Sequence, residues 1–283
     1  MDRKIYLLKK HFGYDVFRQG QEQLIDSILN EQDCLGVMPT GSGKSLCYQL
    51  PAILSSGITL VVSPLISLMK DQVDALTQSG IQSAYINSSL SYTQIDKVLN
   101  NARDGRYKII YIAPERLEMD SFVEFAKQTE IFMVTVDEAH CVSQWGQDFR
   151  PSYRKIVEFI KKLPRRPVVS AFTATATDDV RSDIIELLEL NNPNIVITGF
   201  NRVNLYYEVQ KPKDKYSALK EYIQNNSDKS GIVYCSTRDS VESISTQLDR
   251  DGYLVTLYHA GLSEKERDIN QDDFLYDRKT IFV

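Results

Sequence analysis

The sequence predicts an α/β protein built on parallel sheets, and three observations lead there. Short apolar, β-branched runs alternate with amphipathic stretches from one end of the chain to the other, the pattern of strands buried on both faces and linked by helices. A glycine-rich turn follows the first run and a pair of carboxylates ends a later one, the carboxyl ends where such sheets bind ligands. The 283 residues, 42% apolar and 25% charged, suffice for two modest domains with their own cores.

The strands read in order as "CLGV", "ITLVV", "SAYI", "KIIYI", "FMVTV", "PVVSAF" and "NIVI", followed by "GIVYC", "LVTLY" and "TIFV". Between them "SLMKDQVDALTQSG" carries Leu68, Val73 and Leu76 near helical spacing, and "DDVRSDIIELLEL" carries Val180, Ile184, Leu187 and Leu188. Thr177 is placed to cap the second of these helices, with Asp178 and Asp179 at its positive dipole end. The polar stretch from Thr198 to Lys215 interrupts the pattern. It divides the chain into an expected first domain, 1–204, and a second, 205–283.

Composition narrows the function. A net charge of −5 and an isoelectric point near 5.4 oppose nucleic-acid binding by bulk charge, so such binding must use local patches and backbone N–H groups. No apolar run approaches the ~18 residues of a membrane span. The segment "MDRKIYLLKKHFGYD" lacks the apolar core of a secretory signal. Cys34, Cys47, Cys141 and Cys235 form no C-x-x-C pair, and there are only three histidines. The expectation is a cytoplasmic, monomeric protein with reduced thiols, no zinc site and no membrane partner.

Two stretches carry chemistry. In "MPTGSGKSLCYQLP", Thr40, Gly41, Ser42, Gly43, Lys44 and Ser45 lie between a strand and a helix. Glycines there let the backbone curl so that N–H groups converge on an anion, while a helix N-terminus adds positive potential. Lys44 would then reach the outer phosphates and the Ser45 hydroxyl ligate Mg²⁺. Met38 stands where the usual phosphate loop begins with glycine, and a plain structural turn is the alternative. In "FMVTVDEAHCVSQWGQDFRPSY", Asp137 and Glu138 end an apolar strand. One carboxylate can hold Mg²⁺ and the other activate water, although an isolated acidic pair is more often a solvated turn. The two stretches together favour nucleotide hydrolysis over either bland reading.

"TGSGKS", "DEAH" and "SAFTATAT" together resemble the motor core of superfamily 2 helicases. "FGYDVFRQGQ" and "DEAHCVSQWGQDFRPSY" narrow the likeness to the RecQ family of DNA helicases, and "VVSPLISLMKDQ", "YIAPERL", "GIVYCSTR" and "YHAGLSEKER" follow in that family's order. The resemblance implies two RecA-like domains, the second incomplete at its C-terminal end, with ATP and Mg²⁺ bound between them and 3′ to 5′ movement on single-stranded and partly duplex DNA in repair and recombination. It implies adenine contacts from Tyr14, Arg18 and Gln21, although Phe12, Phe17 and Ile25 alone would anchor that segment as a helix. Lys44, Asp137 and Glu138 would be catalytic, with Ser45 and Asp137 at the metal. His140, Gln144, Thr173 and Thr175 would link ATP state to movement.

Ser63, Gln72 and Arg116 would face DNA from loops of the first domain, and Thr237, Arg238, His259 and Gly261 from the second. Trp145, Phe149 and Arg150 form an aromatic and cationic loop that can stack on unpaired bases, against the alternative of a core tryptophan. Gln147 stands where the family commonly carries histidine. The chain stops at "KTIFV", before the family's arginine-bearing motif; if residues 1–283 are the entire polypeptide, it is expected to bind ATP but neither hydrolyse it efficiently nor unwind DNA. An RNA-remodelling ATPase and a nucleotide-gated DNA-binding scaffold are the rival functions.

Overall fold

The computed structural model describes residues 3–145, 149–199 and 204–283; Gln147 lies outside them. The chain divides into two compact units, Met1–Arg202 and Val203–Val283.

Strands of the first unit are β1 (Cys34–Val37), β2 (Ile58–Val62), β3 (Ser83–Ile86), β4 (Ile109–Ile112), β5 (Ile131–Val136), β6 (Val168–Thr173) and β7 (Asn194–Ile197). They form one seven-stranded sheet in the order β3-β4-β2-β5-β6-β1-β7, with every neighbouring pair parallel. Its helices are α1 (Arg3–Leu7), α2 (Gln21–Leu29), α3 (Lys44–Leu54), α4 (Ile66–Gln78), α5 (Tyr92–Arg103), α6 (Asp120–Gln128), α7 (Lys155–Ile160) and α8 (Asp178–Leu187). A π-helical turn, Leu8–Phe12, extends α1.

Both faces of the sheet are covered, as its apolar strands require. Alternate strand residues supply two large buried clusters. One takes Leu35, Val37, Val134 and Val136 with Phe122 and Phe159. The other takes Cys34, Val61, Met133 and Phe172 with Tyr48 and Met69. Gly36 lets the Phe172 ring lie against β1, since a Cβ there would come 2.8 Å from its Cδ1. At the end of the sheet where β1 begins, buried Asp33 pairs both oxygens with Arg166, at 3.1 and 2.6 Å. Asp33 also accepts from the backbone N–H groups of Val169 and Asn191. That satisfies a carboxylate which would be costly to bury unpaired.

Helix α4 turns inward the face that carries Val73 and Leu76, as the sequence predicts, but with Met69 on it in place of Leu68. Met69, Val73 and Leu76 are buried, whereas Leu68 is 47% exposed, because one residue is a 100° rotation on a helix. Thr177 caps α8 by accepting from Val180 N–H. Val180, Ile184 and Leu188 are buried and Leu187 only half-buried.

The second unit holds α9 (Lys215–Asn225), β8 (Gly231–Ile232), α10 (Arg238–Arg250), β9 (Val255–Thr256), α11 (Glu264–Leu275) and β10 (Ile281–Phe282). Its parallel sheet has three strands in the order β8-β10-β9. The runs "GIVYC" and "LVTLY" are thus strands over two residues each rather than five. Among the described residues, no helix of either unit is long and apolar enough to cross a membrane.

Candidate nucleotide and nucleic-acid site

The loop that follows β1 is held from three sides. Met38 N–H donates to Thr173 O of β6 at 3.0 Å, carrying the ladder one residue past β1. The backbone then turns through Gly41 and Gly43, with φ of +80° and +85°, conformations that side chains resist. A Cβ on Gly43 would also lie 2.5 Å from Gln21 Nε2, whereas Gly41 faces open space. Helix α3 starts at Lys44, whose ammonium donates to Met38 O at 3.0 Å.

Tyr14, Arg18 and Gln21 gather on this loop. Arg18 donates to Gly41 O at 2.7 Å and sets its guanidinium 5.6 Å from the centre of the half-exposed Tyr14 ring. Gln21 is buried, and its Nε2 donates to the carbonyls of Ser42 and Gly43, both at 3.1 Å, while its Oε1 accepts from Arg18 N–H. Both donors of its amide are therefore spent on the loop, and the base-edge donation expected of Gln21 is engaged elsewhere in this structure. Thr40 is exposed and Ser45 half-buried at the rim, and the Ser42 hydroxyl is buried without a hydrogen-bond partner.

The carboxylate pair ends β5, two strands away from β1. Asp137 N–H donates to Val62 O, and the Tyr153 hydroxyl donates to Asp137 O at 2.9 Å. Burial, and then the charge of Glu138, push the Asp137 carboxyl up to about 6, against the Glu138 N–H bond and Lys44, which pull it down. Glu138 occupies the left-handed region at φ +48°, a cost of order 1–3 kcal/mol for a residue with a side chain. Its Oε2 lies 3.3 Å from His140 Nδ1. The same nitrogen lies 2.9 Å from Thr173 Oγ1, which donates to Thr175 O at 3.0 Å. Because the Thr173 proton is used there, the His140 proton belongs on Nδ1. Glu138, His140, Thr173 and Thr175 thus form one chain of contacts, joined to the phosphate loop through Thr173 O. Gln144 is exposed.

The residues expected to face nucleic acid divide. Trp145 is 80% exposed, so the core alternative is set aside. Its backbone N–H donates to Ser143 Oγ, which donates in turn to Asp183 at 2.6 Å. Phe149 is half-buried with the Arg154 guanidinium 5.5 Å from its ring centre. Arg150 donates to Pro64 O at 3.1 Å and ties this loop to the one after β2. Ser63 is buried, and Gln72 lies within α4 rather than in a loop. Arg116 is half-buried in the turn Pro114–Arg116, with Nη1 at 3.5 Å from Met119 Sδ.

In the second unit Thr237 is the N-cap of α10, accepting from Ser240 N–H. Arg238 begins that helix, and its Nη1 would lie 3.5 Å from a Cβ on Gly261. Gly261 N–H donates to His259 Nδ1 at 3.1 Å, and His259 Nε2 lies 3.3 Å from Glu242. Sequence reasoning missed Gln49, Tyr111, Ser143 and Asp183, whose polar partners are far away in the chain. The one available signal was Gln49, a lone amide within the apolar run "SLCYQLPAIL".

Residues 18–184 match the family "DEAD/DEAH box helicase", and residues 214–283 match "Helicase conserved C-terminal domain". The chain is 46% identical over 278 residues to "ATP-dependent DNA helicase RecQ" of Bacillus subtilis (strain 168), covering 98% of this chain and 47% of that relative. It is 42% identical over 277 residues to the RecQ helicase of Haemophilus influenzae, covering 98% of this chain and 45% of the relative. The chain thus spans about half the length of these curated relatives.

Among solved structures, the DUF1998 helicase MrfA bound to DNA superposes with a TM-score of 0.76 at 18% identity, over 100% of this chain and 44% of that one. The Mycobacterium smegmatis helicase Lhr bound to ssDNA and AMP-PNP superposes at 0.72 and 19% identity, over 98% and 41%. These two show a shared α/β fold of RecA-like helicase domains. More than half of the chain lies inside the first family match, so it belongs to the DEAD/DEAH box helicases, and within them it resembles the RecQ helicases across its motor core.

Proposed function

We propose that this chain is the ATP-driven motor portion of a RecQ-type DNA helicase. It couples ATP hydrolysis to 3′ to 5′ movement on single-stranded DNA and to duplex unwinding in repair and recombination, as a cytoplasmic monomer. One observation carries the reading. A single sheet presents, at the carboxyl ends of β1 and β5, a glycine loop opening onto a helix N-terminus and a carboxylate pair, with an exposed tryptophan shortly after the pair.

In this reading the Tyr14 ring and Arg18 hold the adenine, and Gln21 braces the loop beneath the phosphates. The backbone of Thr40 to Ser45 surrounds the phosphates, and Lys44 leaves Met38 O to meet the outermost one. Ser45 and Asp137 are the residues that would hold Mg²⁺. A hydroxyl and a carboxylate suit a hard cation, and an adjacent cation would favour the ionised form of an Asp137 that burial disfavours. Mg²⁺, when bound, neutralises charge on the phosphate oxygens. Glu138 orients the attacking water and takes its proton. His140, Gln144, Thr173 and Thr175 pass the state of that carboxylate to the rest of the motor.

Taken by itself, the first unit would contact DNA through Ser63, Gln72, Arg116, Trp145, Phe149 and Arg150, and the second, by itself, through Thr237, Arg238, His259 and Gly261. Base stacking on Trp145 suits an acidic protein that cannot bind by bulk charge.

The test is ATP turnover of the full-length polypeptide, measured alone, with single-stranded DNA and with single-stranded RNA. Stimulation by DNA is expected; stimulation by RNA alone would replace the reading with an RNA-remodelling ATPase. ATP binding without turnover under any condition would leave a nucleotide-gated scaffold. Glu138→Gln separates the carboxylate's role, because it should retain ATP affinity while losing turnover.

A further inference from the structure

Behind the phosphate loop lies a polar cluster that the nucleotide site does not use. Gln49, midway along α3, is 6% exposed. Its Nε2 donates to Oε1 of Gln72 on α4 at 3.1 Å and to the hydroxyl of Tyr111 on β4 at 3.0 Å. The Tyr111 hydroxyl directs its own proton to the same Gln72 oxygen at 3.5 Å. The neighbouring Tyr48 hydroxyl is buried beside the hydroxyls of Ser45 and Tyr111. Apolar side chains of one core cluster, including Met69, Val73 and Phe172, surround the group. An amide in such a place is costly unless bonded, and an apolar residue of similar volume would fill it as well.

The positions of its two ends suggest why it is there. At one end, Tyr48 and Gln49 share α3 with Lys44 and Ser45. Burial pushes the Tyr111 phenol up to about 12 and the Tyr48 phenol well above its ordinary value, and the charge of Asp137 contributes to both. The group is therefore within electrostatic reach of the carboxylate that ends β5. At the other end, α4 begins two residues after Pro64, whose carbonyl accepts from Arg150 on the loop that carries Trp145.

We propose that Gln49, Tyr111 and Gln72 are positioning residues that transmit the occupancy of the phosphate loop to α4, and through Pro64 and Arg150 to the Trp145 face. This inference rests on the nucleotide and nucleic-acid reading given above. Helix α3 begins at the phosphate loop, so a displacement of its first turn moves Gln49. An amide fixed at two acceptors carries such a shift to α4 and β4 together, where apolar contacts would slide past one another.

The experiment is the affinity of the 283-residue chain for a fluorescent ATP analogue, with and without saturating oligo-dT. In the parent the two affinities should differ by about fivefold or more, the lower range of allosteric coupling. Tyr111→Phe and Gln49→Met should each bring the ratio within about twofold of unity, and the double variant should go no further. Ile184→Val, in the cluster on the other face of the sheet, should lower the melting temperature yet keep the parent ratio. Tyr111→Phe removes a single oxygen and carries the test if Gln49→Met does not fold. A parental ratio in both relay variants would overturn the inference, as would collapse of the ratio in Ile184→Val. A parent with no ratio at all would instead sink the nucleic-acid reading, and the relay with it.

Discussion

The two units bury themselves to very different degrees. The first has a sheet covered on both faces, with aromatic residues such as Tyr48, Tyr153, Phe122 and Phe172 wholly enclosed. In the second, the sheet is paired over two residues per strand, and α9 buries none of its side chains. Among its described residues the buried apolar core is Val241, Leu248, Val255, Ile281 and Val283. The strained Glu138 backbone and the braced glycine loop both belong to the first unit. Groups held in costly conformations persist only where their surroundings over-determine them.

The largest effect expected from this contrast is catalytic. Lys44→Ala removes the charge aimed at the outer phosphates, and ATP turnover should fall by at least ~10²-fold, the cost of losing one preorganised donor. Arg238→Ala, in the second unit, should leave the affinity for ATP as it was. Steady-state turnover and a binding titration on both variants check the pair. Equal losses of ATP affinity would abolish the distinction drawn between the units.

Core truncation should separate them next. Phe172→Ala empties the space between Gly36 and Tyr48 and should cost the first unit about 3–5 kcal/mol. Leu248→Ala should cost the second about 2–5 kcal/mol, which is comparable with the whole stability of a small domain. Calorimetry should then show a low-temperature transition that Leu248→Ala removes, while ATP binding survives. A single cooperative transition for both variants would mean that the units do not melt independently.

A smaller effect follows from Asp137. Its carboxyl is held at about 6 against an ordinary 3.8, so between those values the folded chain keeps a proton that the unfolded chain releases. The stability cost is therefore absent below pH 3.8, grows as pH rises, and is complete above pH 6. Two pKa units amount to about 3 kcal/mol. Without nucleotide and with a chelator present, Asp137→Asn should raise stability at pH 7.5 by up to about that much, and not at all near pH 3.5. Denaturant titrations at the two pH values measure it; a gain that does not depend on pH would remove burial as its cause.

These contrasts were unevenly legible in the sequence. All seven strands of the first unit stand out as apolar runs, in β1 to β6 because a parallel strand covered on both faces has no polar side to disguise it, and in the edge strand β7 although Ile195 and Ile197 are exposed. In the second unit the same runs overstate the strands, because an apolar segment records the capacity to pair and not the presence of a neighbour. At α4 the helix was evident and Val73 and Leu76 marked its inner face, but Leu68 was read in the place of Met69, which stands four residues before Val73 and keeps the helical spacing. At the site, Lys44, Asp137 and Glu138 were visible because their chemistry is local to short motifs. Gln21 was visible as an amide, but its partners Ser42 and Gly43 were not. The bond from Arg150 to Pro64 spans two loops that no local pattern joins.

The smallest effect isolates packing from local helix signals, since the same device closes one helix in each unit. Ser91 accepts from Gln94 N–H while Gln94 accepts from Ser91 N–H, and Ser263 and Glu266 do the same at the start of α11. Losing either cap by Ser→Ala should cost about 1 kcal/mol. The consequences should differ, because α5 buries Ile95, Leu99 and Ala102, whereas none of the described side chains of α11 is buried. A helix of this length is marginal without tertiary packing. Ser263→Ala should therefore fray α11 locally, seen as faster hydrogen exchange across 264–275 with little change elsewhere. Ser91→Ala should leave exchange in α5 close to the rate set by global unfolding of the first unit and show itself only as a lower melting temperature. If α5 frays as readily as α11, packing is not what holds it, and the contrast between the two units fails at its most local point.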